Sequence, residues 1–227
     1  MERKNEEGLT EKEFLAQYRP GNYERPSVTV DMLIFAVDQE ETEAEAEILL
    51  IRRKNHPCIG QWAIPGGFVE MSESLEEAAA RELEEETGLK HIFMEQLYTW
   101  GSVKRDPRTR VISVSYMAAV PKDSLIPKAG DDAEDACWFQ VKKKKLSDLG
   151  NGATYGLTIE SEEKHIFMSY RITETYERRG MMWERETEAE LLPAIDILDQ
   201  EKLAFDHAEI LSMAMDRLEE IEKEYVE

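Results

Sequence analysis

Residues 66–89 read Gly66-Gly67-Phe68-Val69-Glu70-Met71-Ser72-Glu73-Ser74-Leu75-Glu76-Glu77-Ala78-Ala79-Ala80-Arg81-Glu82-Leu83-Glu84-Glu85-Glu86-Thr87-Gly88-Leu89. The second half predicts a helix from about Ser74 to Thr87, capped by Ser72 or Ser74 and ended by Gly88 in a left-handed conformation. At 3.6 residues per turn, Leu75, Ala79 and Leu83 share one apolar face. Glu82, Glu85 and Glu86 cluster at the edge of that face. Carboxylates at i, i+3 and i+4 are close neighbours, and beside a core they repel and lose hydration unless a cation neutralises them. A hard divalent ion held by oxygens, Mg²⁺ or Mn²⁺, suits that need. The bland alternative is a solvated acidic face, which is the reading for Glu76, Glu77 and Glu84. On the helix alone the two readings stand level. Gly66 and Gly67 allow a tight backbone turn beside a ligand.

Upstream, Ser27 to Val37 is β-branched and apolar, broken only by Asp31, and Ile48 to Ile51 supplies a partner, so Ser27 to Arg53 is expected to form a hairpin. The acidic stretch Gln39 to Glu47 reads as its surface turn. Thr10 to Tyr18 is expected to be a short helix and Arg19 to Pro26 a loop. Downstream, strands are expected at Phe93 to Trp100, Val111 to Val120 and Ala136 to Val141. Tyr155 to Ile159, His165 to Thr175 and Met181 to Arg185 alternate in a way that suits an extra hairpin or small sheet. Phe205 to Tyr225 has a helical period, with Asp206 and Glu209 as a capping-box-like pair. The order of elements gives an α/β class with helices against a mixed sheet. It divides into 1–148 with the main domain, 149–204 as a β-rich insert, and 205–227 as a C-terminal helix packing on the main domain.

The 227 residues carry 49 acidic and 28 basic side chains, a formal charge of −21, which repels nucleic-acid phosphates. The basic run Lys142 to Lys145 reads as a solvated loop or strand end. Cys58 and Cys137 match no metal spacing and read as small buried side chains. No apolar run is long enough to span a bilayer and the first residues show no secretory signal, so a cytoplasmic location is expected.

The spacing Gly67, five residues, Glu73, seven residues, then Arg81-Glu82-Leu83-Glu84-Glu85-Glu86-Thr87-Gly88-Leu89 resembles the Nudix box without a departure. That resemblance implies an α/β/α sandwich on a mixed sheet and a loop-helix-loop that binds a metal-bound diphosphate. It implies Glu82, Glu85 and Glu86 as Mg²⁺ ligands, with the Gly67 carbonyl as a further one, and Glu73 with Arg81 as a bracing pair. Tyr23 to Asp31, Trp62 to Glu70, Arg105-Asp-Pro-Arg108 with Val111 to Tyr116, and Leu203 to Glu209 resemble a bacterial ADP-ribose pyrophosphatase branch. ADP-ribose, split to AMP and ribose 5-phosphate, is the substrate so implied; NADH and nucleoside triphosphates are the alternatives. The same branch includes ADP-ribose-sensing transcriptional regulators of NAD metabolism. Against a regulator stand the intact box and a chain after Gln140 with 12 basic and 21 acidic residues, a poor DNA-binding face.

Several further residues are candidates, each with an ordinary alternative. Asp135, before a Trp-Phe strand, is a candidate catalytic base or ligand, or a strand-end acid; Asp131, Asp132 and Glu134 are not separable from it. Glu70 follows the Gly-Gly-Phe-Val turn and is a candidate contact to substrate or metal. Arg52 or Arg53 pairs with a phosphate or is an edge charge. Asp106 and Arg108 read a terminal ribose or belong to a Pro-stabilised turn. His207 reads as a helix-start residue rather than a catalyst, and Met181 to Trp183 as core or dimer contact. A two-stranded ribbon needs its apolar face covered, by the protein's own core or by a second copy of the chain. Together with the family's frequent dimerisation, this gives the expectation of a homodimer in which the insert or the N-terminal segment crosses to the partner.

Overall fold

The computed structural model describes residues 3–22, 24–37, 46–121, 133–193 and 200–226. The expected Gln39 to Glu47 turn, Asp131 and Asp132 lie largely or wholly outside them. The strands are β1 (Ser27–Val37), β2 (Ala46–Arg53), β3 (Trp62–Ala63), β4 (Gly66–Phe68), β5 (Glu95–Trp100), β6 (Val111–Pro121), β7 (Ala133–Leu149), β8 (Gly152–Ser161), β9 (Ile166–Arg179) and β10 (Met182–Leu191). They make one sheet in the order β10-β9-β8-β7-β2-β1-β6-β5, with β3 on β2 and β4 on β1. β1 and β6 run parallel while the other pairs are antiparallel, so the sheet is mixed, as expected.

Three helices complete the chain: α1 (Glu11–Gln17), α2 (Leu75–Thr87) and α3 (His207–Val226). α1 is held locally by a Thr10–Glu13 capping box and buries nothing. α2 is capped by Ser74, again with a full capping box, and ends at Gly88 with φ 75°. Its Ala78, Ala79 and Leu83 pack with Met32, Ile34, Leu49 and Val114 on one face of the sheet. α3 packs Ile210, Leu211 and Ala214 with Leu33, Phe35, Ile48, Leu50 and Phe139 on the other. Alternation along β1 and β2 supplies both layers, because successive side chains point to opposite faces. This is the α/β/α sandwich. Among the described residues no helix is long and apolar enough to cross a membrane.

Four expectations need correction. The extra strands do not form a separate hairpin or small sheet: β7 is long enough to pair with both β2 and β8, so one sheet continues through them, with register shifts at Arg52/Arg53 and Lys145/Ser147. Their apolar residues Leu157, Ile159, Met168 and Ile172 join the cluster under α3. Of the two covers open to that apolar face, the protein's own core supplies one. The Lys142 to Lys145 run lies inside β7, and Lys143 is buried against Glu174 and Asp216. Asp206 and Glu209 do not form a capping box, since the Asp206 carboxylate is taken by Arg105. Met181, Met182 and Trp183 sit exposed at the β9–β10 turn, which overturns the core half of the core-or-dimer-contact expectation and leaves the dimer contact as an expectation.

Candidate active site

A cavity of about 930 Å³ opens where the last residues of β2, the first residues of β1 and β6, β4, α2 and the start of α3 converge. Its size suits a nucleotide-sized ligand. Gly66, Gly67, Glu82, Glu85, Glu86, Arg53, Asp106 and Arg108 line it, as do Asp31, Arg105, Phe205 and His207.

The two glycines serve close approach rather than a tight turn. Both lie in extended β4 paired to β1, outside the left-handed region. A Cβ on Gly66 would meet the Val30 carbonyl oxygen at 2.1 Å, and one on Gly67 would meet Glu82 Oε1 at 2.0 Å. The Glu82 carboxylate therefore lies directly against the Gly67 backbone, a space only glycine leaves open.

Arg81 organises the carboxylates around that contact. Its Nε and Nη2 donate to the two oxygens of Glu73 at 3.1 and 2.8 Å, a bidentate pair. Nη2 also donates to the Phe68 carbonyl, and Nη1 donates to Glu82 at 2.7 Å and Glu85 at 3.3 Å. The Arg81 hydrogen bonds hold the Glu73 carboxyl below the usual range. Glu82 goes the other way: burial pushes its carboxyl up, and Arg81 offsets this only in part. The Glu82 side chain is 11% exposed and that of Glu85 59%, so one carboxylate is held at the base and the other reaches solvent.

The remaining candidates divide. Alternation sends Arg53 and Ile51 to the cavity and Arg52 to the opposite face, where it bonds the Gly60 carbonyl and Glu201. Arg53 Nε donates to the Pro57 carbonyl, and its guanidinium lies 5.2 Å from the Phe205 ring centre. Asp135 pairs in register with Arg52, does not line the cavity, and is bound by Lys164 at 2.8 Å. As placed, its carboxylate is held by Lys164 away from the cavity. Glu70 is exposed, outside the lining, and its N–H donates to Glu73. Asp106 and Arg108 do line the cavity and bind each other, and Arg108 also lies over Phe68. Burial alone would raise the Asp106 carboxyl, but hydrogen bonds from Arg108 leave it lowered.

Sequence reasoning missed a buried group on the other side of the cavity. Arg105 forms a two-point contact with Asp206 at 2.9 and 2.8 Å and lies 3.6 Å from Asp31, which accepts a 2.5 Å bond from Ser113. His207 lies beside this group, buried, with Nδ1 accepting the Ile64 N–H at 2.9 Å. The available signals were the lone Asp31 in an apolar strand and the presence of Arg105, Asp206 and His207 in the outer stretches that resemble the pyrophosphatase branch.

The donor set fits a hard divalent cation. Glu82, Glu85 and Glu86 offer oxygens into one cavity beside the Gly67 backbone, and three of the nearby carboxylates share a single guanidinium. Among the described residues no three His, Cys, Asp or Glu side chains already converge on one point. An open set of carboxylates completed by substrate phosphates is how Mg²⁺ is usually held.

Comparison with known proteins agrees with this geometry. The NUDIX domain model matches residues 26–157, from the start of β1 into β8. The chain is 43% identical over 133 residues to the ADP-ribose pyrophosphatase of Methanocaldococcus jannaschii, covering 59% of this chain and 72% of that one. It is 44% identical over 113 residues to the ADPR responsive transcriptional repressor NtrR of Acinetobacter baylyi, covering 49% of this chain but only 44% of the repressor. Among solved structures, a MutT/nudix family protein from Enterococcus faecalis superposes with a TM-score of 0.64 at 32% identity, over 93% of this chain and 70% of that one. The NUDIX domain of Shewanella oneidensis NrtR, solved with ADP ribose, gives a TM-score of 0.58 at 26% identity, over 92% of this chain and 99% of that one. With the box folded as a loop and helix on a mixed sheet, and the family model spanning more than half its length, the chain belongs to the Nudix family.

Proposed function

We propose that the chain is a metal-dependent hydrolase of nucleoside diphosphate derivatives, with ADP-ribose, cleaved by water to AMP and ribose 5-phosphate, as preferred substrate. The observation that carries this reading is the open carboxylate cluster Glu82, Glu85 and Glu86, which shares one cavity with the cationic side chains Arg53, Arg105 and Arg108. A divalent cation, Mg²⁺ or Mn²⁺, held by those glutamates with the Gly67 carbonyl would neutralise diphosphate charge and lower the pKa of the attacking water. The protein's own part is positional. Arg81 fixes Glu82 against Gly67, the cavity arginines attract the diphosphate, and a solvent-reaching carboxylate such as that of Glu85 takes the proton from water.

ADP-ribose as ligand is supported by the pyrophosphatase relative and by the solved complex of the NrtR domain. The repressor relative supports a second reading, an ADP-ribose sensor that does not turn its ligand over. A substrate panel with purified protein and Mg²⁺ separates the two. The expected outcome is a higher kcat/KM for ADP-ribose than for NADH or any nucleoside triphosphate. A triphosphate winning would overturn the substrate, and tight ADP-ribose binding without AMP release would favour the sensor.

A further inference from the structure

His207 is 4% exposed, lines the cavity, and accepts a backbone N–H on Nδ1. A backbone N–H can only donate, so Nδ1 carries no proton and the neutral ring must carry its hydrogen on Nε2. Burial lowers the His207 pKa, which keeps the ring neutral at ordinary pH. Nε2–H has no partner among the described residues. With Nε2 already protonated and Nδ1 occupied, the ring is a poor general base and a ready donor.

Its position is fixed from several sides. Leu203 bridges to Trp62, and the Ala204 N–H donates to the Trp62 carbonyl at 2.8 Å. The Tyr170 hydroxyl of β9 accepts the Leu203 N–H at 2.6 Å. Between these anchors and α3, Phe205 is forced to φ 50°, a conformation a bulky L residue rarely takes. Strain of this kind persists where the surroundings over-determine it, and it concentrates at binding sites.

We infer that His207 is a substrate-binding residue that donates a hydrogen bond from Nε2 to an oxygen of the nucleotide, from the α3 side of the cavity. The inference rests on the proposed ADP-ribose reading. The acceptor is either a distal ribose hydroxyl or a diphosphate oxygen, which ADP-ribose and ADP distinguish as ligands.

Two substitutions separate binding from a structural role. In His207→Asn the side-chain oxygen can replace Nδ1 and keep the Ile64 bond, but nothing reaches the Nε2 position. In His207→Gln the amide reaches the Nε2 position as a donor and the Ile64 bond is lost. Calorimetric titration in EDTA, with thermal melting alongside, is expected to show Asn melting close to wild type yet binding ADP-ribose about ten-fold more weakly, the equivalent of one lost hydrogen bond. Gln is expected to bind more tightly than Asn even where it melts lower. Loss for both ADP-ribose and ADP assigns a diphosphate oxygen, and loss for ADP-ribose alone assigns the distal ribose. Asn binding like wild type, with Gln the weaker, would overturn the inference while leaving the ADP-ribose reading intact. Wild-type protein that neither binds ADP-ribose in EDTA nor binds or cleaves it with Mg²⁺ present would remove both.

Discussion

α2 and α3 cover opposite faces of the same sheet, and both bring acidic side chains to the rim of an apolar stripe. They differ in how those charges are answered. Near α3, Glu174 and Asp216 meet Lys143 and Arg185, two anions against two cations, at distances of 2.5 to 2.7 Å. Lys143 is completed by the Ser212 carbonyl and the Tyr155 ring, so every charge in that group is answered by the chain itself. Near α2, Glu73, Glu82 and Glu85 share the single guanidinium of Arg81. One group is closed and locks a helix to a sheet. The other is short of positive charge and faces a cavity. Charge balance, more than acidity, separates the structural cluster from the proposed metal site.

The largest expected effect tests the open cluster. Glu85→Gln and Glu86→Gln should each cut turnover by roughly two to three orders of magnitude, as expected when a ligand to a catalytic metal is lost, with little change in melting. Steady-state rates at saturating Mg²⁺ check this, and near wild-type rates in both variants would reduce the α2 cluster to another ion network. The closed cluster should behave in the opposite way. Glu174→Ala leaves Lys143 and Arg185 to share Asp216 alone, one anion against two cations, which is expected to cost about 3 kcal/mol of stability while sparing kcat per folded molecule. Urea denaturation measures it, and an unchanged midpoint would show that the network is dispensable.

The smallest expected effect concerns Glu209, beside both Asp206 and α3's junction with β10. Burial, with Asp206 adding to it, pushes its carboxyl up to about 7. A folded-state pKa above the ordinary value means that the contribution is present at low pH and is lost as pH rises from about 4.5 through about 7. Glu209→Gln, neutral throughout, should therefore gain stability over wild type as pH goes from 5 to 8. Discounted for partial exposure, the gain is about 1 kcal/mol. Parallel melting curves across that range would show the gap widening, and a gap of constant size would rule out the titration.

The loop and helix of the box were legible because their signals are local. Ser74, Gly88 and the Leu75, Ala79, Leu83 spacing each act within a turn or two, and the structure has the caps and the buried face where those rules put them. What failed depended on partners remote in sequence. Lys143 looked solvated because a lysine gives no hint of a glutamate on β9 waiting for it. Arg52 and Arg53 could not be told apart without the phase of β2 relative to the cavity. Asp206 looked like a cap until Arg105, far away in sequence, claimed it. His207 looked like a helix start, which it is, but its burial against Ile64 comes only from tertiary docking.

The hydrogen bond from Ile64 to His207 spans 143 positions of chain, and the anchor from Tyr170 lies within the strands that extend the sheet. Contacts of such long range form late, because the loop they close must be ordered first. The box helix, by contrast, lies within 23 residues and meets its own sheet early in the chain. The site is thus assembled in two instalments. A chain made only as far as β7 holds the carboxylate residues, Asp31 and Arg105 but not yet Phe205 and His207. Because Phe205 and His207 follow β8, β9 and β10 in the chain, those strands set how much more chain must be made before the last wall of the cavity can dock.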